Sequence, residues 1–235
     1  MSKRNWLDGS FLYVAIIIYI IAGFSTLIAG DQLADMLFDE DKYFENMGAI
    51  GFFVTSLVFL YGFIKTLKLK SAGVYFYFRL AILFGLFFLF FFGGGEEISW
   101  GQRIFNIQTP ESLSKINTQD ETNVHNIGLF ENKIHFETIF DMFWVSLTLA
   151  LPLVVKFNKT IGAFLDKFFS TPRIYIGLLF LFNYLWAKVA TILFKSQYGF
   201  ELLPFVQAVQ EVKESNYALL FVLVAIDIIR DRSKV

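Results

Sequence analysis

The residues able to do chemistry crowd into two short strings. GGGEEISWGQR, residues 93–103, sets Glu96 beside Glu97 and follows them with Trp100, Gln102 and Arg103. NTQDETNVHN, residues 117–126, adds Gln119, Glu121, Asn123, His125 and Asn126. Adjacent carboxylates repel each other unless something cationic sits with them, and a histidine near carboxylates is a usual general base. The expected roles are Glu96 and Glu97 as acid/base groups or metal ligands, His125 as base or ligand, and Arg103 as a clamp for an anion or head group. Trp100, Gln102, Gln119, Asn123 and Asn126 are candidate substrate contacts.

A divalent metal is the candidate cofactor. Glu97, Glu121 and His125 would form a mixed carboxylate–histidine site suited to zinc, manganese or iron. The chain has two histidines and no cysteine, which excludes His₃ and thiolate sites. The other reading of His125 is a hydrogen-bonded side chain without metal. No HExxH, GxSxG, P-loop or dinucleotide fingerprint occurs.

These strings must be positioned by very oily elements. Hydrophobic residues make up 56% of the 235, with 31 phenylalanines and only 17% charged residues. Soluble domains carry about a quarter charged residues, so lipid is the expected solvent. A net charge of −1 gives no basic field for nucleic acid. The predicted class is all-α: one membrane helix bundle over residues 1–235, with spans near 11–29, 47–64, 74–95, 134–155, 174–194 and 206–229. Each reaches or approaches the ~20 residues that cross a bilayer. The last includes the polar QAVQEVKESN. Retention of the first span as an anchor is expected, because its apolar run exceeds a signal-peptide core.

With both ends cytoplasmic, inside segments carry 12 of the 20 lysines and arginines and outside segments 6; Arg79 and Lys188 lie within spans. The expected location is the bacterial inner membrane, with the cluster facing the outside or periplasm and lipids as partners. Counting at about 1.5 Å per residue brings Asp141, Lys188 and Glu214 to the depth of Glu96 and Glu97. Gln207, Gln210, Glu211 and Glu214 form one helical stripe. Charges there should face one another or a wet cavity, so Asp141, Lys188, Glu211 and Glu214 join the candidate binding residues, with Lys188 as counter-ion to Asp141 or Glu214. Arg79 is expected to snorkel to inner-leaflet phosphates.

The outside segment 96–133 is punctuated by apolar residues and is expected to be ordered, with a short helix from Pro110 to about Ile116. The three glycines would permit close approach of a helix or a substrate chain.

The string EEISWGQRIF, a TP-initiated turn and then NxQxExNxHN together resemble a pattern in uncharacterised bacterial multi-pass membrane proteins. The Glu-Glu pair is also similar to that of CAAX-type (Abi) membrane proteases, in which Glu-Glu is followed after three residues by Arg. Here five residues separate Glu97 from Arg103, and His125 falls in the outside segment. That resemblance implies a membrane-embedded hydrolase. The sequence leaves two readings open: a membrane enzyme, hydrolase or transferase, acting at the outer leaflet on a lipid, lipid-linked or membrane-peptide substrate, or a transporter, channel or assembly partner using the same polar cluster.

Overall fold

The computed structural model describes residues 10–26, 43–69, 71, 73–102, 105–117, 122–123, 127, 136–168, 170–198 and 203–230. Among these the architecture is all-helical. The long helices are α1 (Ser10–Thr26), α2 (Tyr43–Leu67), α3 (Val74–Glu97), α5 (Phe136–Phe157), α7 (Ile174–Tyr198) and α8 (Leu203–Arg230). The short α4 (Glu111–Ser114) and α6 (Lys159–Leu165) lie in the connections. Asn158 caps α6: its Oδ1 accepts from the amides of Thr160 and Ile161, both at 3.1 Å.

Helices α2, α3, α5 and the stretch Ile174–Ile192 of α7 are long and apolar enough to cross a bilayer. Their apolar side chains also face outward. On α2, Ile50, Val54, Leu57, Tyr61 and Ile64 form an exposed stripe; on α7, Leu178, Phe182, Leu185, Val189 and Ile192 do the same. Water would penalise such surfaces on several helices at once, and lipid does not. The chain is an integral membrane protein.

Helix α8 explains how a helix with a polar first half belongs in such a bundle. It is the axis, not a wall. From Ser215 to Val224 nearly every residue is buried. Tyr217 is stacked between Phe180 of α7 and Trp144 of α5, with ring centroids 5.5 and 5.8 Å away. Phe221 meets Phe90, Phe143 and Phe180. On the α2 side small residues replace rings: a Cβ on Gly51 would lie 2.9 Å from the Ala218 backbone, and one on Gly62 would lie 2.7 Å from Ile229. Backbones approach closely there because no side chain intervenes.

One helix is deformed for a reason legible in its sequence. In α5 the turn Ser146–Ala150 is π-helical, and the amide of Leu151 donates to Ser146 O, five residues back. Pro152 follows, has no N–H to offer Thr148 O, and crowds that carbonyl. The freed Thr148 carbonyl turns to α7, where it faces Gly177. A Cβ on Gly177 would sit 2.3 Å from Thr148 O.

The two ends of the bundle differ chemically. At one end Asp227 of α8 gathers Tyr13 of α1 and Arg173, just before α7. It accepts from the Tyr13 hydroxyl at 2.9 Å, from Arg173 Nε at 2.8 Å and from the Arg173 amide at 3.0 Å. The hydrogen bonds to Asp227 hold the Arg173 guanidinium protonated, above its already high ordinary value. The glutamates collect at the opposite end.

Candidate functional site

The end of α3 answers why three glycines precede two glutamates. The helix stops at Glu97, and the chain reverses through Ser99 (φ 45°), Trp100 (φ 56°) and Gly101 (φ 77°). This left-handed run folds the Trp100 indole back over the helix it has just left. The ring lies flat on Gly95, where a Cβ would meet it at 2.8 Å, and its Nε1 donates to Glu96 Oε1 at 2.7 Å. Gly94 receives the Phe53 ring of α2 in the same way, at 3.0 Å. The glycines are seats for aromatic rings, rather than for a neighbouring helix backbone. Trp100 thus reaches Glu96 across a chain reversal, not along a continued helix. Trp100 stays 42% exposed, at the edge of the apolar exterior.

Glu97 turns the other way, into the bundle. Its Oε2 lies against Gly48 of α2, 3.2 Å from where a Cβ would stand, beside the Ser215 backbone of α8. Glu45, Glu96, Glu211 and Glu214 are its charged neighbours. Five carboxylates from α2, α3 and α8 thus meet at one level. Of the residues that the sequence counts to the depth of Glu96 and Glu97, Glu214 is among these neighbours; Glu211 and Glu45 are additions.

A second polar group adjoins this one through Glu214. Gln210 Nε2 donates to Glu214 Oε1 at 2.6 Å and also to Glu137 of α5. Lys213 Nζ donates to Gln210 Oε1 at 2.7 Å and lies 3.6 Å from Glu137. Asp141 accepts from Trp144 Nε1 at 2.8 Å. Lys188 is placed elsewhere. It is exposed, with its ammonium 5.5 Å above the Tyr184 ring, and makes no ion pair with Asp141 or Glu214. Lys213 is the cation that joins these carboxylates. Glu137 was legible as the residue four before Asp141, on the same helical face. Lys213 was not, because the sequence offered it only as one basic residue of an outside segment.

Deeper in, polar groups continue between α1, α7 and α8. The Tyr19 hydroxyl and Ser215 Oγ are 2.6 Å apart. Asn216 Nδ2 donates to Asn183 Oδ1, and Asn183 Nδ2 to Lys213 O, each at 2.9 Å.

The segment that follows α3 is tied to its reversal by side chains. Gln102 donates to Thr109 Oγ1 and accepts from the Thr122 amide, both at 2.6 Å. Asn123, 1% exposed, accepts from Asn117 Nδ2 at 3.1 Å and donates to Ser99 Oγ at 3.2 Å. Thr122 Oγ1 donates to Ser99 O at 2.6 Å. Asn117 and Ile127 form a β-bridge. The expected helix after Pro110 is present as the shorter Glu111–Ser114. Gln102 and Asn123, expected to contact substrate, therefore hold the segment in place through these bonds. Arg103, Gln119, Glu121, His125 and Asn126 lie outside the described residues.

Among the described residues no group of three His, Asp or Glu side chains is placed to hold a metal ion. Of the three expected ligands only Glu97 belongs to that set. The chain matches no family model, no curated protein and no solved structure.

Proposed function

We propose that the chain is a membrane-embedded hydrolase or transferase acting at the outer leaflet on a lipid, lipid-linked or membrane-peptide substrate. The observation that carries this is the position of Glu97: inside the bundle, against Gly48, among four further glutamates, and five residues before Gln102, which ties down the segment that follows α3. In this role Glu97 takes the proton of an attacking water or hydroxyl as its oxygen bonds to a carbonyl or phosphoryl centre. The same proton then passes to the departing oxygen, or to the departing nitrogen of a peptide, as its bond to that centre breaks. Arg103 and His125 complete the site as anion clamp and second base, or as ligand with Glu97 and Glu121 if a metal is used. In the proposed topology all six long helices span, both chain ends are cytoplasmic, and the glutamate end faces the periplasm of a bacterial inner membrane.

The test is turnover. Purified protein in nanodiscs is incubated with a total bacterial lipid extract, including lipid-linked precursors, and products are followed by mass spectrometry. A lipid consumed by wild type and spared by Glu97→Gln and His125→Ala, both of undiminished thermal stability, is the expected result. Loss of activity only in step with lost folded protein sinks the catalytic roles. A second reading, a carrier, is favoured by the polar chain Tyr19–Ser215 and Asn216–Asn183 running inward from the glutamates. No wild-type turnover, with solute flux into proteoliposomes that depends on Glu97, would replace the first reading by this one.

A further inference from the structure

The end of the bundle opposite the glutamates contains a charge that the functional site does not use. Arg79, in the second turn of α3, does not snorkel out along the helix. It is 6% exposed, with Nε and Nη2 sealed from solvent and donating to nothing. Among the described residues no carboxylate bonds to these nitrogens. The sequence accounts for this: no Asp or Glu occurs anywhere from Asn46 to Gly95, whereas Lys65, Lys68, Lys70 and Arg79 do. A guanidinium enclosed in protein at membrane depth without an anion costs several kcal/mol. It therefore calls for an anion from outside the chain.

We propose that Arg79 binds the phosphate of an acidic phospholipid in the leaflet at this end, cytoplasmic in the proposed orientation. Three features beyond the guanidinium select this ligand. First, Tyr75 lies one turn from Arg79 on α3, and the Lys167 ammonium stands 5.0 Å over its ring, giving a second cation near the same helix end. Second, Phe168 packs on both Tyr75 and Phe78, at 5.3 and 6.0 Å between centroids, so the segment carrying Lys167 is fixed against α3. Third, Arg79 follows the start of α3 by five residues, roughly 8 Å along the axis. A head-group phosphate at the start of the helix has only that distance to cover to meet the enclosed guanidinium. Two cations, Arg79 and Lys167, against the single carboxylate of Asp166 favour a head group with net negative charge over a zwitterionic one. The proposal rests on the membrane reading and is independent of any enzymatic activity.

The test is stability of the full-length, delipidated protein in a neutral detergent, titrated in parallel with phosphatidylglycerol, phosphatidylcholine and inorganic phosphate. Phosphatidylglycerol should raise wild-type Tm by about 5 °C, the order a ligand well above its Kd produces in a chain of this size. Phosphatidylcholine should do much less. A response to inorganic phosphate equal to that of the lipid would show a free-phosphate site and overturn the lipid assignment. Arg79→Met should fold at least as stably as wild type in lipid-free detergent, since it removes an uncompensated charge, and should lose the phosphatidylglycerol response. Lys167→Ala should weaken the response several-fold and keeps the test decisive if Arg79→Met fails to fold. Equal lipid responses in wild type and Lys167→Ala, or in wild type and Arg79→Met, would refute the proposal.

Discussion

Asp227 and Arg173 show how asymmetric an ion pair is when its partners differ in exposure. The Asp227 side chain is 4% exposed and that of Arg173 is 44% exposed. Removing the arginine side chain strands a buried carboxylate that keeps only the Tyr13 hydroxyl and the backbone amide of residue 173. Removing the carboxylate leaves a guanidinium that water reaches. Arg173→Ala should therefore cost about 3 kcal/mol and Asp227→Asn clearly less. The double variant should recover part of the loss of Arg173→Ala alone. Denaturation of the three proteins in one detergent gives the ranking, and an Asp227→Asn more damaging than Arg173→Ala would show that the burial reasoning is wrong. The same asymmetry frames Arg79, where a buried cation has no partner within the described chain.

Among the elements, α5 and α7 are locked by a backbone feature rather than by side-chain fit. Pro152 frees the Thr148 carbonyl, the π-turn directs it outward, and Gly177 is the residue that lets it in. A methyl at position 177 meets backbone on one side and Leu149 Cδ2, at 2.6 Å, on the other. The Leu149 methyl can shift, but the Thr148 backbone at 2.3 Å cannot. Gly177→Ala should cost about 3 kcal/mol, the upper part of the range for overpacking. Gly85, where a Cβ would meet nothing within 4 Å, is the control. Gly85→Ala should stabilise by about 1 kcal/mol through helix propensity. Parallel melts of the two variants check both signs, and similar melting points would argue against the close α5–α7 contact.

For the whole molecule the open question is which ends lie on which side. Chain-wide bias of Lys and Arg favours cytoplasmic ends, and the buried α8 is the sixth crossing of the proposed topology. Because the chain has no cysteine, single cysteines report cleanly. In intact cells Asn46→Cys, Glu131→Cys and Gln197→Cys should react with an impermeant maleimide, whereas Lys68→Cys and Lys159→Cys should react only after permeabilisation. Reaction of Lys68→Cys in intact cells would reverse the orientation and move the Arg79 phosphate to the outer leaflet.

How much of this was legible beforehand depended on how local the cause was. An apolar run long enough to cross lipid is a property of consecutive residues, so the helical membrane class and the approximate spans follow from the sequence. The similar height of Glu96, Glu97 and Glu214 is a count along the chain as well, because helical rise is nearly constant. What required the tertiary structure was direction and partner choice. Rise gives height and says nothing of azimuth between helices, so Lys188 was the natural counter-ion until α7 was seen to turn it outward while Lys213 faced Glu137. The three glycines announced close approach, but only the left-handed reversal at Ser99–Gly101 decided that the approaching group was the indole of Trp100. Arg79 read as a snorkelling side chain because its position lay near an interface. Packing of α3 within the bundle enclosed it instead, and enclosure makes its charge a demand for an anion.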